Sequence, residues 1–190
     1  MHLDGLKVAV LVTDGYEPSE LTEPMRALRE AGATASLVSN HDGQIKGKTD
    51  ADTAAVDLTL DVARPEDYDA LLLPGGVKNP DTMRQDRRGV AFVRHFADAG
   101  KPIAAICHAP WMLVEADVVR GRRVTSYPSL RTDLRNAGAD WVDEEVVVDQ
   151  GIVTSRTPDD LPAFNAKMIE ELAEGTHDRS RTAQVGASTR

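Results

Sequence analysis

The chain has 190 residues, of which 31 are acidic and 22 basic, a formal net charge of −9, with 41% hydrophobic residues, 28% charged residues and one cysteine. That length suits one domain with a core of several helices on a sheet, no apolar run is long enough to span a bilayer, and a single cysteine excludes an internal disulfide framework. The negative surplus repels phosphate backbones and argues against nucleic acid as a steady partner.

Residues 1–15 pass almost at once into a strand, without a basic start, a long apolar segment and a small-residue cleavage site, so a cytoplasmic setting with a reduced thiol is expected. Residues 7–13 (KVAVLVT) form a nearly continuous β-branched run that predicts a buried strand. A helix is predicted over 18–30, with Leu21, Met25 and Leu28 on one face and Gly32 as its stop. A second strand is predicted at 33–39. The polar stretch 40–52 contains Asp42-Gly43, a hairpin signal, and 56–62 reads as an extended excursion. Within it, GQIKGKT has its glycines one residue too close for a phosphate loop and is taken as hairpin.

Residues 70–73 predict a third buried strand running into Pro74-Gly75-Gly76. A helix over 87–99 presents Val90, Val93, Phe96 and Ala97, and Gly100 ends it. A strand over 102–106 then meets Cys107 and His108, and Pro110, Met112, Leu113 and Ala116 open a further helix. Arg120, Arg122 and Arg123 read as a solvated loop, residues 124–125 as a short strand and 129–137 as a helix. Residues 145–149 and 152–155 form a hairpin through Gln150-Gly151. Thr157-Pro158-Asp159-Asp160 reads as a capping box for a helix carrying Leu161, Phe164, Met168 and Leu172. Residues 1–174 are expected to form one domain and 175–190 a mobile tail. Strands alternating with helices imply a doubly wound, mostly parallel α/β sheet, with sites outside the carboxyl ends of its strands.

Three of those ends carry unusual residues: 14–17, 74–76 and Cys107-His108. A thiol at a strand-to-helix turn meets free amides that stabilise a thiolate, although a lone cysteine is also a common small core residue. The Gly75 and Gly76 amides, with that of His108, suit an oxyanion hole, or else a plain turn. Glu17 near Cys107 would form a coupled pair sharing one proton, which Glu17 could lend to the sulfur as a hydrogen bond; alone, it is a first-turn helix charge. His108 is placed either as a base or as a packing residue.

Taken together, the segments DGYEPSELTEP, DALLLPGGVKNPD, AAICHAPWML, TSYPSLRTDLRNAGADWVDEEVVVD and TSRTPDDLPAF resemble the PfpI-type (protease I, general stress protein) branch of the ThiJ/PfpI superfamily. The resemblance runs from residue 7 to about 172. It implies a flavodoxin-like fold with helices on both faces of the sheet, an elbow cysteine at Cys107, a hydrogen-bonding acid at Glu17 and His108 as base. It also implies a homo-oligomer, dimer or hexamer, in which an acid of the neighbouring subunit orients the histidine, a place held here by Asp81. Tyr127 and Arg156 match family positions near the site. This chain reads CHA where many relatives read CHG, and Trp111 narrows the pocket.

The activity so implied is that of a stress-response cysteine enzyme acting on reactive carbonyls or glycated adducts, small molecules or modified proteins, as a deglycase or glyoxalase. The alternatives are an intracellular cysteine peptidase and a redox sensor that oxidises Cys107 without turnover. No cofactor or metal is expected, since paired cysteine ligands, HExxH and GxGxxG are all missing from the sequence.

Overall fold

The computed structural model describes residues 2–177. Strand β1 (Lys7–Leu11) leads into helix α1 (Pro18–Glu30), and β2 (Thr34–Ser39) lies beside β1. An excursion pairs β3 (Gln44–Lys46) with β4 (Thr53–Ala55), and β5 (Leu58–Thr59) returns to the sheet edge along β2. Strand β6 (Ala70–Leu73) is followed by α2 (Lys78–Met83) and α3 (Arg87–Asp98), then β7 (Ile103–Ile106) and α4 (Pro110–Glu115). A small parallel pair, β8 (Arg123–Val124) and β9 (Asp140–Trp141), brackets α5 (Arg131–Asn136). The hairpin of β10 (Val146–Asp149) and β11 (Ile152–Ser155) and the helix α6 (Leu161–Glu174) complete the described chain.

The main sheet has seven strands in the order β10-β11-β7-β6-β1-β2-β5, all neighbours parallel except β10 and β11. It is the doubly wound α/β arrangement expected from the alternation of strands and helices. Side chains that alternate along the strands divide the core in two. Ala9, Leu11, Leu71, Leu73, Ile103 and Ala105 face α3 and α4 through Phe92, Phe96, Met112 and Leu113. Val8, Val10, Leu72, Ala104 and Ile106 face α1 and α6 through Leu21, Leu28, Phe164 and Met168.

Several local expectations change. The β3–β4 hairpin turns over residues 47–52, so Asp42-Gly43 precedes it instead of forming its tip. Helix α2 and strand β9 were not expected, both being too short to carry a hydrophobic period. The capping-box reading at 157–160 holds only in part: a 3-10 turn occupies Pro158–Asp160 and the Thr157 side chain makes no cap, while the Asp160 carboxylate turns to the Thr157 N–H and to Arg156. Of the expected tail, residues 178–190 lie outside the described residues. His177, just before them, donates its backbone N–H to the Gly100 carbonyl at 2.8 Å.

Candidate active site

Parallel strands aim their carboxyl ends at one edge of the sheet, which brings the turns after β1, β6 and β7 together. Asn79 ties two of them. Its buried side chain accepts the Thr13 N–H at 2.8 Å and donates to the Pro74 and Gly75 carbonyls at 2.9 and 3.0 Å. Nothing in the sequence singled out Asn79, because a lone polar residue after a glycine pair carries no period.

Cys107 follows β7 with φ at 64°, in the left-handed region that a side-chain-bearing residue rarely adopts. Two backbone hydrogen bonds hold it there: its N–H donates to Ser155 O at 3.0 Å, and its carbonyl accepts from Tyr127 N–H at 2.8 Å. Strain maintained by its surroundings at a strand end is the geometry of a nucleophile elbow. The next helix, α4, has only six residues, so its dipole is slight. The amides of Gly76 and His108, which lie against the sulfur, are what favour a thiolate there.

The acid beside that sulfur is Glu20, not Glu17. Helix α1 begins at Pro18, leaving Glu17 as an extended cap residue whose carboxylate turns outward to Lys48 Nζ at 3.5 Å. Glu20 sits in the first turn, and its 20, 24, 28 spacing aligns it with buried Pro24 and Leu28. It is 0% exposed. The Cys107 thiol and the Gly75 and Gly76 amides are the polar groups turned toward its carboxyl. Neither carboxyl oxygen closes a well-formed hydrogen bond, however. Burial chiefly, and the nearby Glu17 charge, push its pKa up to about 7. Burial and the Glu20 charge likewise push the Cys107 thiol up. The two groups therefore titrate as a coupled pair in which an ionised Glu20 opposes the thiolate and a protonated Glu20 removes that opposition.

A Cβ on Gly75 would collide with Glu20 Oε2 and lie 2.6 Å from Cys107 Cβ and 2.7 Å from the Ile106 carbonyl. We expect Gly75→Ala to cost about 1–3 kcal/mol of stability through overpacking and to slow alkylation of Cys107. Thermal unfolding and the rate of iodoacetamide labelling check both effects.

His108 Nδ1 lies 3.1 Å from Cys107 Sγ, and its Nε2 lies 3.4 Å from Ser129 Oγ. Its ring stacks on Tyr127, with centroids 4.5 Å apart, and meets Trp111 at 5.4 Å. Burial lowers its pKa, so the ring is neutral at neutral pH and able to accept the thiol proton. Ser129 is a partner that sequence reasoning did not find.

Of two other expected site residues, Arg156 lies elsewhere, and Asp81 was expected to act on the histidine of a neighbouring subunit. Arg156 is held by Asp160 at 2.9 Å and Asp143 at 2.8 Å and does not line the cavity over Cys107. Its bidentate-type engagement makes it a brace between the end of β11 and the start of α6. Asp81 lies in α2, where Arg84 holds its carboxylate at 2.9 Å, and within this chain it does not reach His108. The cavity over Cys107 has a volume of about 950 Å³, bordered by Glu17, Lys48, Gly76, His108 and Tyr127. Its size suits a small molecule or one modified side chain.

The DJ-1/PfpI family profile matches residues 6–171. The chain is 47% identical over 168 residues to protein/nucleic acid deglycase 2 of Escherichia coli K12, covering 87% of this chain and 97% of that protein. It is also 47% identical over 170 residues to general stress protein 18 of Bacillus subtilis 168, covering 88% and 98%. The crystal structure of Drosophila melanogaster DJ-1beta superposes with a TM-score of 0.82 at 31% identity, over 91% of each chain.

Proposed function

This chain belongs to the DJ-1/PfpI family, and from that membership and the surroundings of Cys107 we propose that it is a cysteine-dependent hydrolase of reactive carbonyls and their adducts, of the deglycase or glyoxalase type. The relatives named as a deglycase and a general stress protein support the class of reaction. The observation that carries it here is a strained Cys107 whose sulfur sits 3.1 Å from a neutral His108 and against a fully buried Glu20.

For a 2-oxoaldehyde, the sulfur adds to the aldehyde carbon and the thiol proton passes to His108 Nδ1. The oxygen that becomes negative, or gains a proton, is placed to meet the Gly76 and His108 amides. Transfer of a proton from the former aldehyde carbon to its neighbour converts the adduct to a thioester, oxidising one carbon and reducing the other. Water then cleaves the C–S bond and restores the thiol, so the net change is addition of water to give a 2-hydroxy acid. No external oxidant is needed. With a glycated side chain, the same thiol attacks the carbonyl-derived carbon and the amine or thiol of the protein leaves.

This route uses one copy of the chain, since Ser129 already meets the outer nitrogen of His108. Assembly into a homo-oligomer and a cytoplasmic setting are parts of the same proposal, carried by family resemblance. The test follows methylglyoxal consumption and lactate release, with casein as a parallel substrate. Turnover that disappears once one equivalent of iodoacetamide has labelled Cys107 supports the proposal. Casein cleavage alone would establish the peptidase reading, and peroxide-driven sulfinate at Cys107 with no turnover the sensor reading.

A further inference from the structure

On the α3 side of the sheet, a cleft of about 640 Å³ opens between α3, the end of α2 and α4. Its walls carry three guanidinium groups, from Arg84, Arg87 and Arg94, against one carboxylate, Glu115. Such a cluster is unusual in a chain whose acids outnumber its bases by nine, 31 against 22. Arg87 and Arg94 reach no carboxylate within 4 Å among the described residues, whereas Arg88 on the same helix is paired with both Asp61 and Asp86 at 2.6 Å. Seven residues of α3 separate the two, about 10 Å along the axis and on one face, so both arms can close on a single anion. Val90 and Ala91 lie between them as an apolar floor.

We propose that this cleft is a binding site for a phosphate monoester, with Arg87 and Arg94 gripping the dianion and Arg84 closing on it from α2. Two guanidinium forks without carboxylate partners and a third within the same cleft offer more donors than a single carboxylate would use, and suit the three terminal oxygens of a phosphate monoester. The monoester's organic part then rests on Val90 and Ala91.

Arg84 makes the cleft a neighbour of the thiol site. Its guanidinium is held by Asp81 at 2.9 Å and lies 4.6 Å from the centroid of the Trp111 ring. Trp111 in turn meets the His108 ring and donates its Nε1–H to Asp133 at 2.9 Å. An anion that draws Arg84 toward the cleft changes the cation over Trp111 and reports itself in that indole.

The chain has two tryptophans, so Trp141→Phe leaves Trp111 as the fluorophore. The titrants are inorganic phosphate, a nucleoside 5′-monophosphate and a single-stranded oligonucleotide without terminal phosphate, at ionic strength fixed with sodium chloride. The expected result is saturable change with the first two, and affinity at least tenfold weaker in the Arg87→Ala/Arg94→Ala double variant. Calorimetric titration of the unsubstituted protein repeats the measurement in case Trp141→Phe perturbs folding. Saturation by phosphate and monophosphate alike identifies the free phosphate group as the feature recognised, and by the monophosphate alone adds the organic part. No saturation, unchanged affinity in the double variant, or saturation by the oligonucleotide alone would each overturn the proposal.

Discussion

Replacing Cys107 by serine is expected to reduce 2-oxoaldehyde turnover about 10³-fold or more, because a hydroxyl at the same elbow does not ionise near neutral pH. Glu20→Ala is expected to cost about 10²-fold, the range typical of removing a positioned proton donor. Glu17→Ala should change turnover by less than about threefold, since its carboxylate pairs with Lys48 and the acid acting on the sulfur is Glu20. The three values of kcat/KM, with iodoacetamide labelling rates across pH, test the arrangement together. Equal losses in the Glu17 and Glu20 variants would remove the basis for assigning the proton to Glu20.

Glu20→Gln is expected to stabilise the protein by about 3 kcal/mol at pH 8, and by almost nothing near pH 4. The sign follows from the raised folded-state pKa. Burial lifts the carboxyl from 4.5 to about 7, so the folded state binds the proton more tightly than the unfolded chain does. Below 4.5 both states hold the proton and nothing is lost. Between 4.5 and about 7 the wild-type protein loses stability as pH rises, and above that range the loss is complete. A glutamine cannot ionise and escapes it, for a rise in Tm of about 5–10 °C in a chain of this size. Thermal unfolding of both proteins at pH 4 and pH 8 measures it. A wild-type protein equally stable at both values relative to the variant would show that folding does not raise the Glu20 pKa. The natural residue thus lowers stability in the pH range where a cell operates, as groups placed for chemistry often do.

The sheet was legible because its strands are short apolar runs bounded by glycine and proline, and the bounds expected for α1 and β6 are those observed. Cys107 was legible as well, since its position between a buried strand and a proline-led helix forces it to the sheet edge. The acid was not. Glu17 was expected from the strand-end turn at 14–17 and from resemblance, but as the extended residue before Pro18 it pairs with Lys48, while the first helical turn carries Glu20 to the sulfur. Glu20 could have been found from its i, i+4, i+8 relation to Pro24 and Leu28, by asking why a carboxylate occupies a core stripe. Arg156 was placed by resemblance, and its partners Asp160 and Asp143 form ion pairs that spacing alone does not rank. Asn79 and Ser129 act through single hydrogen bonds across loops, which leave no periodic trace.

Gly100 lies just before β7, at the end of the sheet opposite the one where Cys107 stands, and the His177 carbonyl occupies the space a side chain on Gly100 would need. Residues 175–177, the described chain beyond the last helix, therefore lie at the far pole of the sheet. A fluorophore or surface linker attached through residue 177 would sit away from the entrance to the thiol and leave that entrance open.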